Sequence, residues 1–116
     1  MGEQQIATSQ MEAKWALRSY FKNGDYVNRF EHLYLDIEGN KIRTMHNEDD
    51  KLWPKQLEYE KIAVTSGNYF HRSDGLIFEV KKINERELHI DILVKSLKDD
   101  QVNSHLFYFT RYDSVL

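Results

Sequence analysis

The stretch Lys14-Trp15-Ala16-Leu17-Arg18-Ser19-Tyr20-Phe21 decides the fold, because it reads in two ways. Ala13, Ala16, Leu17, Tyr20 and Phe21 fall on one face of a helix, whereas Trp15, Leu17, Ser19 and Phe21 alternate as a strand. Ser9 followed by Glu12 fits a capping box that would start a helix at Gln10, and Asn23-Gly24 could end it with Gly24 in the left-handed conformation. The strand reading pairs the stretch with Phe107-Tyr108-Phe109-Thr110-Arg111-Tyr112 at the far end, so that the chain closes on itself as a small barrel. The helical reading leaves an open sheet with a helix on it. β-type residues crowd this half of the chain. The expectation is therefore a short helical turn near residues 9–13 running into a strand from about 14 to 22, with helix over 10–22 as the alternative.

Outward from this stretch the pattern is mainly β. Arg29 to Glu38 alternates, with Leu33, Leu35 and Ile37 on one face and Phe30, His32 and Tyr34 on the other. Gly39-Asn40 is a two-residue hairpin turn, since both types tolerate positive φ, and Lys41 to His46 returns as a short strand. Asn47 to Lys55 is charged, holds the single proline, Pro54, and reads as a loop with Trp53 as an apolar anchor. Leu57 to Thr65 is a strand whose parity changes, which a bulge near Glu60-Lys61 would reconcile. Tyr69 to Arg72 is a short strand between the turns Ser66-Gly67-Asn68 and Ser73-Asp74-Gly75. Leu76, Phe78 and Val80 share a face, Asn84 to Glu87 turns, and Leu88, Ile90, Ile92 and Val94 give the cleanest alternation. Leu97 to Ser104 is a polar connection, and His105 to Tyr112 closes the chain. Short connections make sequential strands antiparallel neighbours. About eight strands in an up-and-down meander tend to close, because closure removes exposed edges.

The 116 residues fit one domain, 1–116, with residues 1–8 polar and expected to be flexible. Hydrophobic residues make up 41% and charged residues 30%, a balance expected of a soluble globular domain. The net charge of -3 and the absence of a basic face argue against nucleic acid. No stretch has the length of a membrane span, and Met1 to Gln10 holds neither an apolar run nor a basic start, so neither a membrane partner nor a leader is expected. Without cysteine, disulfides, thiolate catalysis and cysteine-ligated zinc are excluded, and a cytoplasmic setting is the default.

No residue set announces a reaction. His32, His46, His71, His89 and His105 sit on five different expected strands without ligand spacing, so no metal site and no cofactor is expected. Asp74, Glu79 and Lys81 match the Asp…Glu-x-Lys order of a nuclease superfamily, but Asp74 is a turn residue and the α/β core of such enzymes is missing. Asp36 and Glu38, with Asp49 and Asp50 beyond, read as a solvated turn and a charged loop rather than as an acid–base pair. Ser19, Ser66 and Ser73 have no nucleophile-elbow context.

Lys14-Trp15-Ala16-Leu17-Arg18-Ser19 resembles the opening strand of lipocalin-like (calycin) barrels, and Phe109-Thr110-Arg111 resembles their final strand. The resemblance implies that Arg111 packs across Trp15 and seals one end. Ala13-Lys14 departs from the glycine common in that family, and Asp113 stands where fatty-acid-binding relatives carry a tyrosine, so carboxylate binding by that pair is not implied. The first functional expectation is non-enzymatic binding of a small, mostly apolar ligand. Its wall would be Trp15, Leu17, Phe78, Ile90, Ile92, Phe107 and Phe109, with Arg111 sealing the end and Tyr34 offering a hydroxyl. The alternative is a protein-interaction module, an inhibitor or immunity-type partner, using exposed aromatics and the acidic loop Glu48-Asp49-Asp50 with Trp53. An enzyme on the same barrel is the third reading.

Overall fold

The computed structural model describes residues 8–30, 32–45, 52–53, 59–95 and 98–112. The strand reading of the opening stretch prevails. A 3-10 turn, Thr8–Met11, leads into β1 (Ala13–Lys22); the helical turn expected near 9–13 is not found, since this tighter turn ends at Met11 and Ala13 already belongs to the strand, and no α-helix forms over 10–22. There follow β2 (Asp25–Tyr26), β3 (Tyr34–Glu38), β4 (Lys41–Met45), β5 (Glu60–Ser66), β6 (Tyr69–Arg72), β7 (Ile77–Ile83), β8 (Glu87–Lys95) and β9 (Val102–Arg111). All pairs are antiparallel, and β1 bonds to both β3 and β9. Eight strands thus close a barrel, with β2 as an extra two-residue strand on β1.

Closure depends on β1 serving two neighbours. Ala13 to Ala16 pair with Ile37 to Tyr34 of β3 on one side. On the other, Trp15 pairs with Arg111, Leu17 with Phe109, Tyr20 with Phe107 and Lys22 with His105. The register shifts between Leu17 and Ser19, leaving Arg18 as the extra residue of a bulge. That one residue inverts the parity of the second half. Tyr20 turns inward and is buried, while Ser19 and Phe21 face out, against the simple alternation of Trp15, Leu17, Ser19 and Phe21.

Asn23-Gly24 ends no helix. Asn23 (φ 52°) and Gly24 (φ 86°) both occupy the left-handed region, the signature of the two-residue turn that matches strand twist, and they join β1 to β2. The strand expected from Arg29 begins only at Tyr34. Phe30 interrupts it at φ 60°, its carbonyl accepting from Leu33 N–H at 3.1 Å, and its ring is buried against Tyr20 and Phe107. A bulky residue there carries strain of about 1–3 kcal/mol, which burial of the ring offsets. Gly39-Asn40 turns as expected, with Glu38 paired to Lys41. The bulge in β5 lies between Val64 and Ser66 rather than near Glu60-Lys61, and β9 begins at Val102, three residues before the expected start.

Inside the barrel Trp15, Leu35, Ile42, Phe70, Phe78, Leu88, Ile90, Ile92, Phe107 and Phe109 are fully buried. Each comes from the inward parity of its strand, and together with Trp53 they make one core.

Candidate functional site

At one end of the barrel Trp15 and Arg111 are directly opposite each other, and the guanidinium lies 5.7 Å from the indole centre. Such a contact contributes about 0.5–2 kcal/mol. The Trp15 Nε1–H donates to the Met11 carbonyl at 2.8 Å, so the 3-10 turn caps the same end with the buried Met11 side chain. Tyr112 N–H reaches Lys14 O at 2.8 Å and extends the seam.

Seven of the expected wall residues share this interior. Trp15, Phe78, Ile90, Ile92, Phe107 and Phe109 are fully buried, and Leu17 is packed against them. Tyr34 is not among them. Its parity is opposite to that of Leu35 and Ile37, which sends the ring outside, edge-on to Tyr112 at 5.4 Å. The hydroxyl expected of Tyr34 is therefore unavailable to anything inside. The six buried walls expose no surface, so among the described residues no gap that admits a water molecule borders them.

The space they surround is filled by Trp53. Its ring centre lies 5.5 Å from Phe78, 5.3 Å from Phe107 and 5.9 Å from Phe109, edge-on to the last two. Phe70 stacks behind Phe78 at 4.8 Å, and Tyr20 stacks on Phe107 at 4.6 Å. Trp53 was expected beside the acidic loop as a contact for a partner; the aromatic interior buries it instead. Glu48, Asp49 and Asp50 lie outside the described residues.

Arg72 holds this arrangement, and nothing in the sequence pattern singles it out. As the last residue of β6, in phase with Phe70, it turns inward and its side chain is fully buried. Its Nε and Nη2 donate to the two carboxylate oxygens of Asp74 at 2.9 and 2.7 Å, while Glu60 lies 3.3 Å from Nε. Nη1 donates to the Leu52 carbonyl at 2.9 Å, fixing the backbone just before Trp53. The guanidinium also sits 5.3 Å from the Phe78 ring centre and 5.9 Å from that of Trp53. The charge-assisted bonds from Arg72 hold the Asp74 carboxyl below its usual range. The one sequence signal for this unit was an apolar Trp53 within a charged loop.

Several of the remaining candidates have structural partners, while His46 lies outside the described residues. Asp36 is buried on the outer face, accepting from Tyr59 OH at 2.6 Å and Arg43 Nη2 at 3.1 Å, and this hydrogen bond pushes the Tyr59 hydroxyl up to about 12. Glu79 pairs with Lys81 at 3.1 Å, and Asp74 belongs to Arg72, so no two-carboxylate metal site assembles from them. His105 Nδ1 lies 2.6 Å from Tyr20 OH, and His32 is exposed. His89 packs on Tyr108 at 4.1 Å, and burial pushes its pKa down. Among the described residues no group of three metal-ligating side chains converges. Open grooves outside the barrel, among the described residues, include one of about 620 Å³ over Asn84, Glu85, Arg86, Glu87 and Thr110 and one of about 450 Å³ over Glu12, Lys14, Asp36 and Glu38.

One outer surface was not foreseen. His89 on β8, Tyr108 on β9, Phe21 on β1 and Tyr26 on β2 form a row of rings, with successive centres 4.1, 5.2 and 5.8 Å apart. The β1 bulge creates it by turning Phe21 outward, and Tyr26 is 62% exposed. No helix is long and apolar enough to cross a membrane among the described residues. No family model matches the chain, and comparison with curated proteins and with solved structures likewise gives no match.

Proposed function

We propose that the barrel is a non-enzymatic, lipocalin-like receptor for one small, mostly apolar molecule, bound in the space that Trp53 fills. One observation carries this reading: the wall is borne by strands, but its central occupant is borne by the segment between β4 and β5. Trp53 itself belongs to no strand, so its side chain can leave while every strand pair of the described wall stays in place. The Trp15–Arg111 seam, the feature that resembles lipocalin-like barrels, supports the same reading. Competition with the chain's own indole sets the affinity. Burying a tryptophan stabilises by about 4–6 kcal/mol at 25 cal/mol per Å² over about 150–250 Å², so a ligand entering must match that before it binds. Native mass spectrometry of freshly purified protein tests this. A retained small mass is expected, and a bare chain that also takes up no apolar probe at millimolar concentration refutes it.

A second reading, a protein-interaction module, is favoured by the outer row His89, Tyr108, Phe21 and Tyr26, since exposed aromatics beside charges suit a contact surface. Recovery of the same partners by the Phe21→Ser/Tyr26→Ser variant, with unchanged melting, would remove that row from consideration.

A further inference from the structure

The occupant of the barrel is also a template for its ligand. Leu52 and Trp53 present two groups to the interior. The indole lies among Phe78, Phe107 and Phe109, and the Leu52 carbonyl accepts the Arg72 Nη1 proton at 2.9 Å. A molecule that displaces this pair must serve both partners. The ring-lined slot takes a flat body, since its walls meet the indole edge-on or tilted at 5.3 to 5.9 Å. The buried Nη1 needs an acceptor, because a buried charged donor left unpaired is costly. An aliphatic chain supplies neither.

The charge of that acceptor follows from what already faces Arg72. One guanidinium meets two carboxylates, Asp74 through Nε and Nη2 and Glu60 at 3.3 Å from Nε. The group therefore carries a formal charge of -1. A third carboxylate would enter a site already over-neutralised, whereas a neutral carbonyl reproduces what Leu52 provides. We infer that the barrel takes a flat aromatic molecule carrying a neutral carbonyl acceptor, of the amide or ketone class, with its ring in the place of Trp53 and its oxygen on Arg72 Nη1. This assignment rests on the ligand-binding reading above.

Calorimetric titration of the full chain, and of Trp53→Ala, with indole-3-acetamide, indole-3-acetate and hexanamide tests it. Indole-3-acetamide is expected to bind the unaltered chain, and to bind Trp53→Ala at least about a hundredfold more tightly, since the competing indole is gone. Indole-3-acetate is expected to bind at least about tenfold more weakly than the amide. Equal or tighter binding of the acetate or of hexanamide overturns the ligand class while leaving an apolar site standing. No binding of any of the three to either protein overturns the class and the site together. Should Trp53→Ala fail to fold, the unaltered chain labelled with 5-fluorotryptophan gives two fluorine resonances, one from each tryptophan, assigned with Trp53→Phe. Indole-3-acetamide is expected to move the Trp53 resonance toward that of an exposed ring and to leave Trp15 in place. An unmoved Trp53, or the same movement with the acetate, overturns the inference.

Discussion

Replacing Trp53 by alanine tests whether a connecting segment completes the barrel core. The indole is fully buried among Phe78, Phe107 and Phe109, with Arg72 over its ring. Taking about 200 Å² of ring surface at 25 cal/mol per Å² gives about 5 kcal/mol of transfer energy. Residual burial in the unfolded chain lowers this by about 10–40%, to about 3–4.5 kcal/mol. The cavity left between three phenylalanines adds to it, because rings held on strands relax little, so about 4 kcal/mol is expected, within the range for Trp→Ala. A domain of this size holds about 6–15 kcal/mol in total, so the variant keeps about a third to three-quarters of its stability. Urea unfolding followed by circular dichroism should shift its midpoint by about 2–3 M, for a slope of about 1.5–2 kcal/mol/M. The slope should stay the same, since the barrel strands still unfold together. A loss below about 1 kcal/mol would show that Trp53 does not fill the interior in solution. The ligand site reasoned from it would then lose its basis.

Arg72→Met should cost about 3–5 kcal/mol, since it strips Asp74, Glu60 and the Leu52 carbonyl of one buried cation, and thermal unfolding reads this directly. Asp74 supplies a pH signature. Its carboxyl holds a proton less tightly folded than unfolded, so its contribution is complete above the ordinary aspartate range and lost as pH falls through the lowered folded value. The stability gap between wild type and Asp74→Asn, measured by urea midpoints, should therefore be present at pH 7 and shrink below about pH 4; a gap constant down to pH 2 would refute the pairing. Gly24→Ala should cost about 1–2 kcal/mol even though its Cβ meets nothing within 4 Å, because φ 86° alone is unfavourable for an L residue, whereas Asn23→Gly should be near neutral in the same melting assay.

Much of the barrel could be read from residues alone, and the limits have a common cause. Leu88, Ile90, Ile92 and Val94 alternate without interruption, so their faces followed at once. Trp15 and Arg111 could be paired because antiparallel closure sets the start of the first strand against the end of the last. Tyr20 and Phe21 could not be assigned, since both fit a buried ring locally. Their faces depend on the bulge at Arg18, which arises where β1 satisfies β9 while leaving β3 for β2. Phe30 escaped for a similar reason. Its alternation with His32 and Tyr34 suggested a strand, but burial of its ring beneath Tyr20 holds the backbone at a positive φ that no propensity would favour.

The candidate site was legible as a wall and illegible as an occupied space. Strand parity carries information about which side chains point inward, so Phe78, Phe107 and Phe109 could be named together. It carries none about what the fourteen residues between Met45 of β4 and Glu60 of β5 do with their one tryptophan. Composition points outward for a loop rich in Glu and Asp, yet the free energy of a single indole exceeds the cost of desolvating the backbone beside it, provided that the carbonyl finds a donor. Arg72 is that donor, and it is affordable inside the barrel only because Asp74 and Glu60 neutralise it. The four residues are therefore one unit: the tryptophan supplies the driving force, the arginine accommodates its backbone, and the carboxylates offset the arginine's buried charge. Removing the Asp74 carboxylate should loosen Trp53 without touching it, which would appear as faster acrylamide quenching of tryptophan fluorescence in Asp74→Asn. Quenching as slow as in the wild type would separate the carboxylate from the tryptophan and dissolve the unit.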